Sequence, residues 1–186
     1  MNNSSQNEGM PFSRSYRVAP GLIAGNYPVS GDEVSTRQRL KGLLDVGIRH
    51  IINLMEPKER NLGRKEFAPY ENQMRALADE KGVTVTFNRM PIKDMSIPSE
   101  AHMHRILGLI DRFTKNDKPV YVHCMRGRGR TGTVVGCYLA RHGYASGQKV
   151  LDLVQDLRQN TEDFYKASPE TSEQIDMILS WQPLKT

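Results

Sequence analysis

The most informative stretch of this sequence is residues 123–132, HCMRGRGRTG, which follow the short apolar segment Val120–Val122. That segment predicts a buried strand, and Thr133–Arg141 beyond the stretch, apolar on most faces, predict a buried helix. Glycines 127, 129 and 132 allow the intervening backbone to fold tightly around a small ligand. Such a loop turns successive N–H groups toward its centre, and the following helix adds the positive end of its dipole. The pattern therefore predicts an anion-binding loop between a strand and a helix.

Two side chains of this loop carry reactive or binding chemistry. Arg130 offers a planar guanidinium that matches two oxygens of a phosphoryl group. N–H donors, a helix N-terminus and a guanidinium around Cys124 would all favour its thiolate. Cysteines in such surroundings have pKa values of roughly 3.5–7.5, so the sulfur is predicted to be a nucleophile at neutral pH. The predicted substrate-binding set is Met125, Arg126, Gly127, Arg128, Gly129 and Arg130.

The spacing His123-Cys124, five residues, Arg130-Thr131-Gly132 resembles the signature of the cysteine-dependent protein tyrosine phosphatases. The short chain is similar to their dual-specificity branch, from about residue 22 to residue 181. This resemblance implies a phosphocysteine mechanism that uses no metal and no other cofactor. It also implies a general acid on a mobile loop about 30 residues upstream, a position that Asp94 fills. The carboxyl group would protonate the leaving oxygen and then act as base for the hydrolytic water.

The resemblance further implies supporting roles for four polar side chains. Thr131 corresponds to a hydroxyl that stabilises the departing thiolate, whereas His123 and Asn53 correspond to residues that brace the loop. Gln174 is placed like a glutamine that some relatives use near the hydrolytic water. The alternatives are a strand-end turn residue for Asn53 and an exposed helix residue for Gln174.

Other residues of this region allow two interpretations each. Asp94 could instead cap the helix that begins near Pro98. Cys137 is expected to be a core residue, with a redox partnership to Cys124 as the alternative. Two additional arginines, Arg126 and Arg128, could be solvated surface charges or could select a ligand with several phosphates, such as an inositol phosphate or phosphoinositide.

The rest of the sequence predicts an α/β fold, a single domain with a central, mainly parallel sheet flanked by helices. The resemblance implies that this fold is like that of dual-specificity phosphatases. Strands are expected at residues 16–19, 22–25, 48–54, 83–87 and 120–122, the first two forming a hairpin. Helices are expected after Asp32 and Pro98, around Met74, and at 133–141, 146–157 and 169–181. The helices of the last third should cover one face of the sheet. Residues 1–14 are predicted to be a disordered tail that contributes nothing to the core, and 15–186 to be the phosphatase domain.

Composition sets wider limits on the protein class and its partners. With 186 residues, 38% of them apolar and 25% charged, the chain does not have a collagen-like or disulfide-rich composition. It contains no apolar run long enough for a membrane span and no signal-peptide pattern, so a cytoplasmic location is expected. Two cysteines are too few for a zinc cluster, and no metal site is predicted. The oligomeric state is left open.

The sequence supports a phosphatase acting on phosphotyrosine, phosphoserine or phosphothreonine proteins, and it leaves other functions open. One alternative is an inositol phosphate or phosphoinositide phosphatase, and another is a module that binds phosphate without hydrolysis. The net charge of +5 and the arginine run suggest nucleic acid, and RNA 5′-phosphatases resemble the same signature. A nucleic-acid partner is nevertheless not expected, because the basic residues are scattered and aromatic residues are few. A dinucleotide site is rejected because Asp152, its required acid, lies in a predicted helix.

Overall fold

A five-stranded sheet lies at the centre of the computed structural model, which describes residues 9–61 and 63–182. The strand order is β1-β2-β5-β3-β4, and every neighbouring pair is parallel except β1 with β2. The predicted α/β class with a mainly parallel sheet is therefore confirmed. The strands are β1 Ser15–Ala19, β2 Leu22–Gly25, β3 His50–Asn53, β4 Thr86–Arg89 and β5 Val120–His123.

Six helices surround this sheet in the described part of the chain. They are α1 Glu33–Asp45, α2 Glu71–Glu80, α3 Glu100–Thr114, α4 Gly129–Arg141, α5 Gln148–Leu157 and α6 Ser172–Ser180. The predicted cap is present, because the Asp32 side chain accepts a hydrogen bond from the Ser35 amide at 2.8 Å. Helix α4 contacts β2 and β5, α5 contacts β1, and α6 packs on both helices. The helices of the last third thus pack together against the β1-β2-β5 part of the sheet.

Several element boundaries differ from the prediction, and hydrogen bonds explain two of these differences. The fourth strand begins at Thr86, not at Val83, because the Val83 amide donates to the Ala78 carbonyl at 3.0 Å and closes the end of α2. Helix α4 begins at Gly129, four residues before the predicted start, since the Gly132 amide already donates to the Arg128 carbonyl at 2.8 Å. Arg130 consequently lies in the first turn of α4.

The N-terminal segment also differs from the prediction where it is described. The Phe12 ring packs edge-to-face on Tyr121, with ring centroids 6.0 Å apart, and belongs to the periphery of the core. Arg14 forms an ion pair with Glu162. The prediction that residues before 15 contribute nothing to the core is therefore wrong for Phe12, and residues 1–8 lie outside the described residues.

The sheet brings three loops to one edge. Parallel pairing aligns the last residues of β3, β4 and β5, namely Asn53, Arg89 and His123. The loops after these strands therefore begin side by side at the C-terminal edge, where open α/β sheets bind their ligands. One loop begins with Cys124, one contains Asp94, and the third contains Glu59.

Candidate active site

The loop after β5 presents a buried sulfur and free backbone donors. Cys124 is 3% exposed, and its Sγ accepts a hydrogen bond from the Gly127 amide at 3.3 Å. Among residues 9–61 and 63–182, no protein acceptor is found for the amides of Met125, Arg126 and Arg128. Such N–H groups can bind an anion that lies in front of the sulfur. The loop therefore has the free backbone donors that the predicted anion-binding role requires.

Gly127 makes the tight turn of this loop possible. Its φ of +74° lies in the left-handed region, which side chains disfavour. A Cβ atom at this position would lie 2.6 Å from the carbonyl carbon of Gly25, at the end of β2. The loop can therefore pack on the neighbouring strand only when residue 127 is glycine.

Arg130 is buried and most of its donors are occupied by the protein. Its Nη1 donates to Glu59 Oε2 at 2.7 Å and to the Ile92 carbonyl at 3.1 Å, and its Nη2 donates to Glu59 Oε1 at 2.9 Å. Asp94 Oδ1 lies 3.0 Å from Nη2. The Nε–H group is buried and has no partner. A guanidinium can bind two oxygens side-on through Nε and Nη2. The edge of Arg130 formed by these two nitrogens is therefore open to a phosphoryl group once Asp94 moves away.

Charge around Arg130 favours its ionised form. Burial alone would lower the pKa of the guanidinium, but hydrogen bonding to Glu59 and the charges of Cys124, Glu59 and Asp94 outweigh it and raise the pKa. Burial likewise acts to raise the pKa of Glu59, whereas Arg130 lowers it below its usual range. The two side chains form a charged pair at the bottom of the site. Nothing in the sequence around Glu59 marked it, since it lies in a polar loop without a motif.

Asp94 lies on the loop that follows β4, with its side chain 51% exposed. Ile92, two residues earlier, is buried and donates its amide to the Leu54 carbonyl at 3.0 Å. The loop is thus fixed before Asp94, while the carboxyl group itself is accessible. An accessible carboxyl beside the arginine is suitably placed for proton transfer to a bound ester.

Gln174 fixes the other side of the Asp94 loop. It is fully buried, which contradicts its interpretation as an exposed helix residue. Its side chain completes the capping box of α6 with Thr171, and its Nε2 donates to the Ser96 carbonyl at 3.1 Å. Gln174 is therefore a positioning residue that joins α6 to the loop of Asp94.

His123, the last residue of β5, contacts both Tyr70 and the start of the loop. The fully buried ring has its Nε2 2.6 Å from the Tyr70 hydroxyl and its Nδ1 3.2 Å from the Cys124 carbonyl. Burial is the largest cause that lowers the pKa of His123 to about 3, despite the opposing contact with the Cys124 carbonyl. Burial also lowers the pKa of His50, on β3, to about 4. Both imidazoles are neutral at physiological pH.

These two histidines predict a loss of stability in mild acid. An unfolded histidine titrates near pH 6.5, so below that pH the unfolded chain binds protons that the folded protein excludes. Stability present above about pH 6.5 is lost as pH falls toward 4, by on the order of 1 kcal/mol per histidine between pH 7 and pH 5. The free energy of unfolding, measured with urea at pH 7 and pH 5, should fall less in His50→Gln than in the wild type. His104→Gln, at an exposed histidine, is the control and should behave like the wild type. An equal decrease of this free energy in all three proteins would contradict the prediction.

Two predicted supporting residues have backbone groups as their hydrogen-bond partners. The Asn53 side chain accepts the Met55 amide at 2.9 Å, which makes it a turn residue at the end of β3. The Thr131 hydroxyl lies 3.5 Å from the Gly25 carbonyl oxygen. Within the described residues neither side chain has a hydrogen bond to the Cys124 sulfur, to which the Gly127 amide donates.

The structure separates the two additional arginines of the loop. Arg126 has a side chain that is 43% exposed. Arg128 is buried, with Nη2 2.7 Å from Glu170 Oε1 and Nε 3.6 Å from Asp163. The second carboxylate oxygen of Glu170 accepts the Gly129 amide at 3.1 Å. The side chain of Arg128 therefore holds the loop and is not a free substrate-binding cation, which corrects its predicted role, and Glu170 is a residue that sequence reasoning missed.

Two further expectations concern absences. No helix in the described ranges is long and apolar enough to cross a bilayer. Residues 9–61 and 63–182 contain no group of three or more histidine, cysteine, aspartate or glutamate side chains arranged to hold a metal ion.

Cys137 is fully buried, and burial raises the pKa of its thiol far above the usual range.

Comparison with known families and sequences links this geometry to phosphatases. A family model described as "Tc-R-P: Polymorphic toxin system, DSP-PTPase phosphatase" matches residues 28–144. Phosphatidylglycerophosphatase and protein-tyrosine phosphatase 1 of Rattus norvegicus is 30% identical over 146 residues, which are 78% of this chain and 67% of that protein. This chain spans about half the length of the first curated relatives it matches.

Solved structures share the architecture. Tk-PTP in its active form has a TM-score of 0.61 at 21% identity, covering 90% of this chain and 95% of that chain. PTPMT1 in complex with PI(5)P has a TM-score of 0.63 at 20% identity, covering 90% and 93%. At these identities the likeness shows the common fold.

Proposed function

The chain belongs to the DSP-PTPase phosphatase family described for polymorphic toxin systems, and on that premise we propose that it hydrolyses phosphate monoesters through a phosphocysteine intermediate. Cys124 is the nucleophile, Arg130 binds the phosphoryl group, and Asp94 is the general acid. The observation that carries the proposal is the convergence at one sheet edge of a buried sulfur, loop amides without acceptors and the unpartnered Nε–H of Arg130.

The proposed reaction has two steps. In the first, the Cys124 thiolate forms a bond to phosphorus, the ester P–O bond breaks, and Asp94 gives its proton to the leaving oxygen. In the second, the Asp94 carboxylate takes a proton from water, the water oxygen bonds to phosphorus, and the S–P bond breaks to release inorganic phosphate and the thiolate. The loop amides and Arg130 stabilise the negative charge on the equatorial oxygens in both steps.

Substrate binding explains how the site would change from its resting state. A phosphoryl group that binds Arg130 side-on takes the Nη2 position now faced by Asp94, 3.0 Å away. Asp94 is then displaced but stays beside the phosphate, where the leaving oxygen lies. Glu59 can keep its two hydrogen bonds on the opposite side of the guanidinium.

Two substrate classes suit this reaction, a phosphorylated protein and a phosphorylated small molecule. The name of the rat relative covers both, as phosphatidylglycerophosphatase and as protein-tyrosine phosphatase. A structural neighbour is solved with PI(5)P. The family likeness therefore supports phosphate-monoester hydrolysis for this chain and leaves the carrier of the phosphate to be tested.

The role of Asp94 distinguishes an enzyme from a module that only binds phosphate. We expect Asp94→Asn to lower kcat by about 10²-fold or more for alkyl phosphates, whose leaving oxygen needs a proton, and much less for p-nitrophenyl phosphate. Steady-state kinetics with both substrates give the ratio. Asp152→Asn, on the surface of α5, is the matched control and should leave both rates unchanged. An equal loss for both leaving groups would contradict the acid role, and an inactive wild type would favour the binding module.

A further inference from the structure

A pocket of about 350 Å³ adjoins the anion-binding loop on the side of Arg126 and Arg128. It is lined by Arg14, Arg126, Arg128, Asp163 and Lys166, and we call it the basic pocket. Its lining comes from the N-terminal segment, the loop and the segment before α6. Four of the five lining side chains are cations, so the pocket is suited to an anion.

Two of these cations are already compensated. Arg128 contacts Glu170 at 2.7 Å and Asp163 at 3.6 Å. Arg14 forms an ion pair with Glu162. These pairs fix the wall of the pocket and contribute little net charge to it.

The other two cations are available to a ligand. Arg126 is 43% exposed, and its nearest carboxylate, Glu170, lies 4.0 Å away. For the exposed Lys166, no carboxylate lies within 4.0 Å among the residues that the structure describes. A guanidinium and an ammonium that share one cavity can together bind a phosphate group.

The basic pocket lies within reach of the reacting sulfur. Arg126 follows Cys124 by two residues, and two residues of extended chain span at most about 7 Å. The basic pocket therefore adjoins the anion-binding loop, and a ligand that fills both sites would carry two phosphate groups.

We propose that the basic pocket binds a second phosphate group of the substrate, so that the preferred substrate is a small molecule bearing two or more phosphates. This inference rests on the proposed function and names its substrate class. The shared chemistry is a polyphosphorylated ring, either free as an inositol polyphosphate or as the head group of a phosphoinositide.

The test compares substrates and two charge-reversal variants. The substrates are inositol 1,4-bisphosphate, a phosphatidylinositol bisphosphate in phosphatidylcholine vesicles and a doubly phosphorylated peptide. For each substrate, the measured ratio is its kcat/KM divided by the kcat/KM for p-nitrophenyl phosphate. In Lys166→Glu the ratio for a polyphosphorylated ring should fall about tenfold or more, as expected when a charge-assisted contact is replaced by repulsion. Lys149→Glu, on the exposed side of α5 and outside the basic pocket, lowers the net charge equally, from +5 to +3, and should keep the wild-type ratio.

Each result decides the inference. A loss for the soluble substrate or for the vesicles supports it and identifies the source of the ring. An unchanged ratio in Lys166→Glu, a wild type without preference for polyphosphates, or a loss confined to the peptide would overturn it.

Failure of the proposed function can be recognised separately. A wild type that does not hydrolyse p-nitrophenyl phosphate refutes the enzyme but not the basic pocket. Calorimetric binding of inositol hexakisphosphate to the wild type, Lys166→Glu and Lys149→Glu then decides. Binding that is weakened only in Lys166→Glu supports the basic pocket, and binding that is absent or equal in all three proteins overturns it.

Discussion

Cys124→Ser is expected to lose turnover of aryl phosphates by roughly four orders of magnitude or more, because a serine hydroxyl is a much weaker nucleophile than a cysteine sulfur. The surrounding donors are unchanged in this variant: the Gly127 amide, the other loop amides and Arg130 Nε–H all remain. Binding of phosphate or of a slow substrate should therefore persist. Turnover by steady-state kinetics and binding by calorimetry separate these two effects.

The same variant identifies the covalent intermediate. Acid quenching of the wild type during turnover should give a peptide with phosphate on Cys124, and the serine variant should give none. Cys137→Ala is the matched control, since this thiol is fully buried in α4 and should not be needed for catalysis. Product formation without label on Cys124, or loss of activity in Cys137→Ala with the fold retained, would refute the assignment of the nucleophile.

Arg130→Lys should lower kcat/KM by about 10²–10³-fold although it keeps the positive charge, because an ammonium is a point charge without the planar fork. In the structure the guanidinium binds Glu59 with two hydrogen bonds and leaves Nε–H for the substrate. A lysine cannot satisfy the carboxylate and a phosphoryl group in this geometry at the same time. The loss should appear with every phosphate ester, in contrast to that of Lys166→Glu.

The control for this substitution is a partly buried arginine outside the site. Arg141 pairs with Asp111 at 3.2 Å near the end of α4, with its side chain 14% exposed. Arg141→Lys changes the same chemical group without touching the loop, and we expect its kcat/KM to stay near the wild-type value. Activity of Arg130→Lys within about threefold of the wild type would show that the fork is not used, because each strong contact to a phosphoryl oxygen is worth more than that.

Sequence patterns predicted most of the fold. The alternation of apolar strands and amphipathic helices predicted the α/β class, and the buried residues Met103, Ile106, Leu107 and Ile110 of α3 follow the expected stripe. Errors arose at boundaries, where tertiary contacts compete with local preference. The Val83 amide is used by the end of α2, so the alternating pattern there begins a strand only at Thr86.

The candidate site was only partly predictable. The family resemblance, which the comparisons confirm, pointed to Cys124, Arg130 and Asp94. The structure places Asp94 3.0 Å from Arg130, on a loop at the same sheet edge as Cys124. Glu59 and Glu170 carried no signal, because each acts through a partner that is distant in the chain. The pair of Glu59 with Arg130 joins residues 71 positions apart.

By itself, the sequence determined that a strand, a glycine-containing loop and a helix follow one another, with a cysteine at the start of the loop. Local sterics suffice for this, because backbone conformation depends on neighbouring residues and on where glycine permits a positive φ. Tertiary structure alone decided which arginines are compensated by carboxylates, that Gln174 is buried against the loop of Asp94, and that Lys166 shares a pocket with Arg126. Ion pairs and burial depend on which distant surfaces pack together, and no short-range pattern encodes that choice.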